Sequence, residues 1–429
     1  MGHRIVPAVP DPWSWSARSS PEDALADWAA SGVLSLTGSA EGPPLLPPGH
    51  AATVARSLSD HLEHVTDGRV RLDGRRLLGE RAAFTGGVRR GSISVGGSCH
   101  LLRTADGWAS VSCARADDRL LLGALIEQEL AAVPWPAVAA WLADHTGEEL
   151  ATRAAVLGVA ASPVRLRDRP PALPEPQPRR DVAGLLVVDF SSLWAGPLCA
   201  HLLGLAGARV VKVETPSRPD GARRGAAGFY RLLHAGHRSV VVDPETREGR
   251  AVLARLVQAA DIVIEASRPR ALIGFGLDAA AAAAAGTTWV SITAAGRVSG
   301  RIGFGDDIAA GAGLVAWTPD GTPVFVGDAI ADPLTGLTAA ALAMSAPPGG
   351  GGVLWDVSMA DVVAATLPVG GTTPSPSRQA VLGPDGWSVQ GERGPVRVAE
   401  PSLRHVSGEA PPPGAHTADV LRELRSAAP

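Results

Sequence analysis

The chain has 429 residues, of which 45% are hydrophobic and 19% are charged, and its formal net charge is −4 at pH 7. This length permits two or more domains that each bury a core, and the charge gives no reason to expect nucleic acid as a partner. The three cysteines (Cys99, Cys113 and Cys199) form neither a close-spaced metal motif nor a disulfide framework. No apolar run approaches the roughly 18 residues that a membrane span requires, and no signal peptide is recognisable. The composition therefore predicts a cytoplasmic protein without membrane contact or a metal site.

Residues 1–162 are predicted to form a small α+β domain. Ser20 and Pro21 are typical of a helix start, and Gly32 is typical of its end. A turn at Asp106 and Gly107 indicates an antiparallel hairpin. The remaining predicted elements are strands at 92–95, 100–103 and 108–113 and helices at 117–130, 135–145 and 147–157.

Residues 163–180 are predicted to be a stiff linker, because six prolines lie between Pro163 and Pro178 without any periodicity. Strands and helices then alternate over residues 181–360, which predicts a doubly wound parallel sheet of the Rossmann type. Residues 361–429 form a C-terminal extension that ends in a short helix. The predicted strands of the sheet are 185–188, 210–213, 238–242, 261–265, 288–292 and 353–357.

The first strand–helix–strand unit of this sheet, residues 185–216, predicts where a ligand binds. Ligands of doubly wound sheets bind at the carboxyl ends of the strands, beside a helix N-terminus. The turn after the first strand carries Ala195, Gly196 and Pro197, without the G-x-G-x-x-G spacing of a dinucleotide fold. The unit therefore predicts a nucleotide-like ligand other than NAD.

Six segments of the sheet region resemble, in the same order, segments of the class III CoA-transferases. They are LWAGPLCAHLLGLAGARVVKVETP, HAGHRSVVVD, ADIVIEASRP, WVSITAAG, GDAIADPLTGL and WDVSMADVVAA. This family includes formyl-CoA and carnitine CoA-transferases and, as a divergent branch, the α-methylacyl-CoA racemases. The resemblance covers residues 181–359, and the closing APPPGAHTADVLREL is similar to the family's C-terminus. It implies acyl-CoA and a carboxylic acid as substrates, with coenzyme A as substrate and product and no tightly bound cofactor.

The region before the linker also resembles this family, in a different order. ADGWASVSCARADD and AVAAWLADHTGEELATRAAVLGVAASPV are similar to the small domain that ordinary members insert after their sheet domain. Here this domain precedes the sheet, so the chain resembles a rearranged member. Ordinary members are interlocked dimers, and the resemblance therefore implies a homodimer.

Asp332 is the first candidate catalytic residue. By residue type alone it is a helix N-cap, with Pro333 at the first helical position. The resemblance implies another role, because family members carry their catalytic aspartate four residues before a glycine, here Gly336. That role is nucleophilic attack on an acyl-CoA thioester, followed by formation of an aspartyl-CoA thioester. An aspartate is ordinarily ionised at neutral pH, so we expect Asp332 to need no general base.

Three further aspartates are candidates near this segment. Asp328 follows Val326 and Gly327 and is the alternative nucleophile, although a solvated turn carboxylate is the plainer interpretation. Asp306 and Asp307 are typical of solvated residues that open a helix. In racemases of the family the matching segment carries a catalytic histidine beside an aspartate, and Asp306 stands in the histidine's place.

The resemblance also implies a set of CoA-binding residues. For each arginine among them, a plain surface role remains an open alternative, although guanidinium groups suit bidentate phosphate binding. The candidates are Trp194 and Ala195 at the turn, His237, Arg238 and Arg268 near the phosphates, and Arg223 and Arg224 on a glycine-rich loop.

The sequence therefore predicts a class III-like CoA-transferase with Asp332 as its nucleophile. One alternative is an acyl-CoA racemase, which the missing histidine disfavours because racemisation needs two bases at the α-carbon. Another is a CoA-binding member that has lost catalysis, an interpretation that departures from the family at Thr215, Ala266 and Gly274 support.

Overall fold

The computed structural model describes residues 20–169, 171, 173–267, 269–370 and 375–426. Its first part is helical, and the start of the first helix agrees with the sequence prediction. The Ser20 hydroxyl accepts the N–H of Asp23, and the Asp23 carboxylate accepts the N–H of Ser20, which caps the helix from both sides. The four helices are α1 (Pro21–Ala30), α2 (Ala51–Val65), α3 (Gly74–Leu77) and α4 (Glu80–Thr85).

A hairpin with three helices follows. Its elements are β1 (Cys99–Thr104), β2 (Gly107–Ser112), α5 (Asp118–Ile126), α6 (Trp135–Ala143), α7 (Gly147–Leu157) and β3 (Ala161–Pro163). The predicted hairpin is confirmed, since β1 and β2 pair antiparallel around the predicted turn. The strand predicted at 92–95 is wrong, because Ile93 forms only an isolated bridge to His100. The helix predicted to reach residue 130 stops at Ile126, where Glu127 takes a left-handed conformation with φ of 58°.

The strands and helices of the third part alternate as predicted. They are β4 (Leu186–Asp189), α8 (Ala195–Leu205), β5 (Arg209–Glu214), α9 (Ala227–His234), β6 (Arg238–Val241), α10 (Arg247–Ala259), β7 (Ile262–Glu265), α11 (Pro269–Gly274), α12 (Ala279–Ala284), β8 (Thr288–Thr293), α13 (Gly305–Gly311), β9 (Val315–Trp317), β10 (Pro323–Phe325), α14 (Ala331–Ala343), β11 (Val353–Ser358) and α15 (Met359–Ala364). The C-terminal extension holds β12 (Val381–Gly383), β13 (Gly386–Gly391), β14 (Gly394–Arg397) and α16 (Thr417–Ser426). None of the helices in the described residues is long and apolar enough to cross a bilayer.

Six parallel strands form the central sheet in the order β11–β8–β7–β4–β5–β6. The chain runs from β4 outward through β5 and β6, then returns to the other side of β4 for β7, β8 and β11. This is the strand order of a Rossmann-type sheet, with its switch point between β4 and β7. The predicted fold class, α/β with a doubly wound parallel sheet and a smaller α+β part, is confirmed.

Hydrophobic cores cover both faces of the sheet. On one face, Val187, Ile264 and Ile292 pack with α8, α14 and α15. On the other face, Val188 and Val263 pack with α10, α12 and α16. Burial on both faces explains why the strands are nearly continuous apolar runs in the sequence.

The N-terminal helices belong to the larger of these cores. Trp28 and Leu58 are 1% and 0% exposed and share that core with Leu334 of α14. The hairpin and α5–α7 instead surround their own core, which contains Val111, Leu122 and Val138 among others. Helices α1–α4 therefore pack as part of the sheet region, while the boundaries predicted at residues 162, 180 and 360 stay predictions.

Candidate functional site

The loop between β4 and α8 lies at the switch point of the sheet. It carries Leu193, whose φ of 70° is in the left-handed region that favours glycine. Trp194 is the N-cap of α8, and the helix proper begins at Ala195. A bulky residue in a strained conformation at a strand–helix turn points to a functional constraint on that turn.

Asp332 does not cap its helix as its residue type predicts. The N-cap of α14 is Ile330, and Asp332 is the second helical residue, without a capping hydrogen bond from its side chain. The Asp332 carboxylate instead lies near the backbone N–H of Ala195 at the start of α8, and this N–H lowers the pKa of the carboxyl. It also lies against Gly305, where a Cβ atom would come within 2.1 Å of Oδ2 of Asp332. Asp332 as a whole residue is partly exposed, although burial is the main influence on its carboxyl group.

Glycine and small residues let α14 approach α8 closely enough for this contact. A Cβ atom at Gly336 would lie 2.8 Å from the carbonyl oxygen of Ala195 and 3.0 Å from Cβ of Leu198. Close packing therefore requires glycine at position 336, since a larger side chain would push the helix that carries Asp332 away from Ala195.

The other three candidate aspartates are buried near Asp332. Asp328 is 1% exposed, and Asp306 and Asp307 are 8% and 1% exposed. Asp306 accepts the N–H of Ala329 at 2.8 Å, which ties the start of α13 to the turn before α14. Asp307 accepts the N–H of Phe304 at 2.7 Å and so does serve the start of α13. The expectation that these three are solvated surface carboxylates is wrong.

Arg81, in α4, is a residue of this site that sequence reasoning missed. Its Nε donates to Oδ2 of Asp328 at 2.9 Å, and its Nη2 donates to Oδ1, so the pair is joined at two points. Its guanidinium carbon lies 5.5 Å from the centre of the Trp194 ring. Arg81 and Asp328 are 247 positions apart, so only the tertiary structure reveals the pair.

Burial and repulsion from neighbouring carboxylates raise the pKa values of Asp306, Asp307 and Asp332. Burial raises the pKa of Asp332 to about 7, while the charge of Arg81 and the Ala195 N–H oppose the shift. Burial, with the charge of Asp328, raises the pKa of Asp306 to about 6. Burial likewise raises the pKa of Asp307 to about 7. At neutral pH a substantial fraction of Asp332 is therefore protonated, in contrast to the expectation from an ordinary aspartate.

The turn between Asp328 and Asp332 is strained as well. Ala329 has a φ of 48°, and Gly327 before it has a φ of 67°. Arg81 holds Asp328 at one end of this turn, and Asp306 binds the N–H of Ala329 at its middle. Two left-handed residues that are not glycine, Leu193 and Ala329, thus flank the contact between Ala195 and Asp332.

Trp194 and Ala195 are the candidate CoA-binding residues that the structure brings to Asp332. Trp194 is buried against Phe229, with ring centres 5.2 Å apart, and its indole nitrogen has no hydrogen-bond partner. Its backbone and that of Ala195 form the end of α8 that faces Asp332.

The structure places the other candidates away from this contact or in other pairs. Arg223 is engaged by Glu214 and lies over the Tyr230 ring at 4.5 Å, whereas Arg224 is exposed on the same turn. His237 is buried beside Gly204 of α8, and burial lowers its pKa to about 3.

Arg238 begins β6, so it lies at the amino edge of the sheet, opposite the edge where ligands of this fold bind. There it donates to Glu423 of α16 at 2.6 Å. Arg268 lies outside the described residues. In the part of the chain that the structure describes, no group of three or more His, Cys, Asp or Glu side chains is placed to hold a metal ion.

Together, these features define an α/β protein with a cluster of aspartates beside the switch point of a Rossmann-type sheet. Residues 182–383 match the sequence model of CoA-transferase family III. This part of the chain is therefore similar to that family, in line with the resemblance of its six motifs.

The chain is similar to two curated CoA-transferases and to one solved structure. The succinate–glutarate CoA-transferase of Agrobacterium fabrum is 32% identical over 216 residues, covering 45% of this chain and 54% of that protein. The succinyl-CoA–D-citramalate CoA-transferase of Chloroflexus aurantiacus is 32% identical over 178 residues, covering 38% of this chain and 44% of that protein. A solved CAIB/BAIF family protein from Brucella suis is 22% identical with a TM-score of 0.49, covering 57% of this chain and all of that one. The chain thus spans about half the length of the curated relatives it matches.

Proposed function

We propose that this protein transfers coenzyme A from an acyl-CoA thioester to a free carboxylic acid, with Asp332 as the nucleophile. The observation that carries the proposal is the position of Asp332, whose carboxylate faces the N–H of Ala195 at the switch point of the sheet. The match of residues 182–383 to CoA-transferase family III supports CoA as the group transferred. The names of the relatives support small dicarboxylic acids as a class of substrate to test first.

The first half of the reaction loads coenzyme A onto Asp332. A carboxylate oxygen of Asp332 attacks the thioester carbonyl carbon, the C–S bond breaks, and CoA thiolate leaves a mixed anhydride behind. The thiolate then attacks the carbonyl carbon of Asp332 and expels the donor acid as its carboxylate. The product is an aspartyl-CoA thioester, and the released acid carries away one oxygen of Asp332.

The second half returns the enzyme to its starting state. The acceptor carboxylate attacks the aspartyl carbonyl carbon and expels CoA thiolate, which gives a second mixed anhydride. The thiolate attacks the acceptor's carbonyl carbon, so the new acyl-CoA leaves and Asp332 recovers a carboxylate with one oxygen from the acceptor. No water, oxidant or metal ion is consumed at any step.

The backbone around Asp332 suits this chemistry. Negative charge develops on the non-attacking oxygen of the Asp332 carboxyl when the thiolate or acceptor adds to its carbon. The Ala195 N–H at the start of α8 lies near this carboxyl, so it can donate to that oxygen and stabilise the charge during the reaction. Arg81 adds a positive charge nearby, while its two-point bond to Asp328 keeps that second carboxylate from acting as a competing nucleophile.

The resemblance to the family also bears on how CoA is bound, where the protein acts and whether it associates. We infer that CoA is bound as a substrate and is not retained, that the protein acts in the cytoplasm, and that two copies associate. Trp194 directly precedes Ala195, and its ring centre lies 5.5 Å from the guanidinium carbon of Arg81, so it is the first candidate side chain to test for contact with CoA.

Trapping of the intermediate tests the proposal. The protein is incubated with a panel of acyl-CoAs, beginning with succinyl-CoA, in the presence of hydroxylamine, and the peptides are analysed by mass spectrometry. Hydroxylamine attacks the aspartyl carbonyl of the anhydride or thioester, so Asp332 becomes a hydroxamate. We expect this mass change at Asp332 alone. Added glutarate or D-citramalate should reduce it, because these acceptor acids compete with hydroxylamine for the aspartyl intermediate.

Variants separate this proposal from its alternatives. Asp332→Asn should abolish trapping and transfer, whereas Asp361→Asn, a partly buried aspartate that pairs with Arg167, should leave both unchanged. Trapping at Asp328 would show that the other acid is the nucleophile. Deuterium uptake at the substrate α-carbon without trapping would indicate a racemase, and CoA binding with neither result would indicate lost catalysis.

A further inference from the structure

Lys212 is the single lysine of a chain that contains 39 lysine and arginine residues together. It lies in the middle of β5 and is 1% exposed. A chain that uses arginine at every other basic position retains lysine at this one. The two side chains differ in shape, because an ammonium is a compact group whose three donors can point to converging acceptors, whereas a guanidinium is a planar fork.

Three acceptors converge on the Lys212 ammonium. Its Nζ lies 3.1 Å from Oδ2 of Asp220 and 3.5 Å from Oδ2 of Asp189, and it donates to the carbonyl oxygen of Ser191. Both aspartates are 0% exposed at their side chains. A cation that is this deeply buried requires such a set of partners, because isolated burial of the charge is very costly.

These partners hold the loop that leads to the reactive acid. Ser191 is bound by Lys212 through its carbonyl and by Asp189 through its N–H, at 2.8 Å. Asp220 accepts the N–H of Leu193 at 3.0 Å, and Leu193 is the left-handed residue just before Trp194. Residues 191–193 are thus held at both ends by groups that share one ammonium.

Other ionisable groups also face this cluster, among them His237 and Tyr230. Glu214, on the same face of β5, accepts the N–H of Asp220 at 2.7 Å and is paired with Arg223. The His234 ring lies 3.9 Å from Asp220, and burial lowers its pKa, so it is neutral. Asp189 and Asp220 therefore share the single positive charge of Lys212.

Resting on the proposed function above, we propose that Lys212 is a positioning residue for Asp332. Its ammonium fixes the loop 191–194 so that α8 begins where the Ala195 N–H meets the Asp332 carboxylate. Lys212 does not touch the substrate in this proposal and acts only through the loop. Lysine is needed because three acceptors on different sides must be reached from one atom.

Two measurements on the whole protein test this proposal with a matched control. Lys212→Met is compared with Arg297→Met, which removes the cation from another buried carboxylate, Glu265, at the end of β7. In Lys212→Met we expect trapping at Asp332 to slow by at least about tenfold in the folded protein, because small displacements of reacting groups are costly. We also expect the midpoint of the pH dependence of trapping to rise in this variant, since the displaced Ala195 N–H no longer favours the ionised form of Asp332. The probe is the acyl-CoA of the panel above that traps wild-type Asp332 fastest.

The second measurement is hydrogen exchange of the amides in residues 191–196, which requires no substrate. Faster exchange in Lys212→Met but not in Arg297→Met supports the proposal. Equal trapping rates, pH midpoints and exchange in the two variants would overturn it. If wild-type protein is never trapped at Asp332, the proposed function fails, while the exchange comparison still decides whether Lys212 holds the loop.

A third variant covers the case in which Lys212→Met does not fold. Lys212→Arg keeps the charge, and we expect it to exchange faster at 191–196 and to be trapped more slowly than wild type. Wild-type behaviour of this variant in both measurements would show that any buried cation suffices, and would contradict the positioning role of the ammonium.

Discussion

At the scale of single residues, the largest difference between prediction and structure concerns the environment of Asp332. A sequence pattern of aspartate followed by proline predicts a helix cap, yet Ile330 is the N-cap and the Asp332 carboxylate lies near the Ala195 N–H of the neighbouring helix. The identity of Asp332 as the candidate acid came from the family resemblance. Its raised pKa could not be predicted, because it depends on burial and on Arg81, which lies far away in the sequence.

The raised pKa of Asp332 predicts a pH-dependent first step. Only the ionised carboxylate attacks the thioester, and burial raises the pKa of this group to about 7. The rate of hydroxylamine trapping should therefore rise with pH, reach half of its maximum near pH 7 and level off above it. Single-turnover trapping over a pH series measures this midpoint.

A variant of Arg81 tests whether the pH dependence of trapping reflects the pKa of Asp332. Its positive charge favours the ionised form of Asp332, so Arg81→Met should move the midpoint to higher pH. A midpoint near pH 4 in wild-type protein, or one that Arg81→Met leaves in place, would contradict this account of the site.

At the scale of elements, the sequence predicts the strands of the central sheet well and the short elements around the site poorly. All six parallel strands were predicted to within a few residues, because continuous apolar runs bounded by turns mark buried strands. The short elements near the aspartate cluster were harder to predict. Helix α4 has six residues and β9 and β10 have three each, too few for a periodic pattern to emerge.

The packing of α8 against α14 predicts the effect of a single methyl group. In Gly336→Ala, the new Cβ would meet the Ala195 carbonyl oxygen at 2.8 Å, so the helices must separate. We expect a loss of about 1–3 kcal/mol in the free energy of unfolding. Trapping at Asp332 should also slow, because the Ala195 N–H moves away from the carboxylate.

Denaturation curves and trapping rates check this prediction, with Gly274→Ala as the control. Gly274 ends α11, and a Cβ atom there would meet nothing within 4 Å. This control should keep wild-type stability and trapping. Equal behaviour of the two variants would mean that the close approach of α8 and α14 does not position Asp332.

At the scale of the whole molecule, the N-terminal helices complete the sheet region. Arg81 reaches Asp328 from α4, and α2 packs on α14 in the shared core. The predicted division at residue 162 grouped α1–α4 with the hairpin because neither composition nor periodicity shows which core a helix joins. Only the family resemblance hinted that the order of parts is unusual.

This arrangement predicts that a change in α2 weakens the sheet. Leu58 is 0% exposed in the shared core, so Leu58→Ala should destabilise the protein by about 2–5 kcal/mol. Hydrogen exchange of β4, β7 and β8 should become faster as a result. Leu125→Ala, an equivalent change in the separate core of the hairpin region, should affect β1–β3 more than the sheet. Unchanged exchange of the sheet strands in Leu58→Ala would show that α2 is only loosely attached.

The transfer of oxygen tests the central claim most directly. The protein is allowed to turn over with an acceptor acid whose two carboxyl oxygens are ¹⁸O, and the peptide that contains Asp332 is then weighed. If Asp332 carries CoA, one oxygen of each acceptor is left in its carboxylate, so the peptide gains mass at Asp332 and the donor acid released in later turnovers carries label. Formation of the new acyl-CoA with Asp332 unlabelled would contradict the account, because CoA would then have passed between substrates without a bond to this residue.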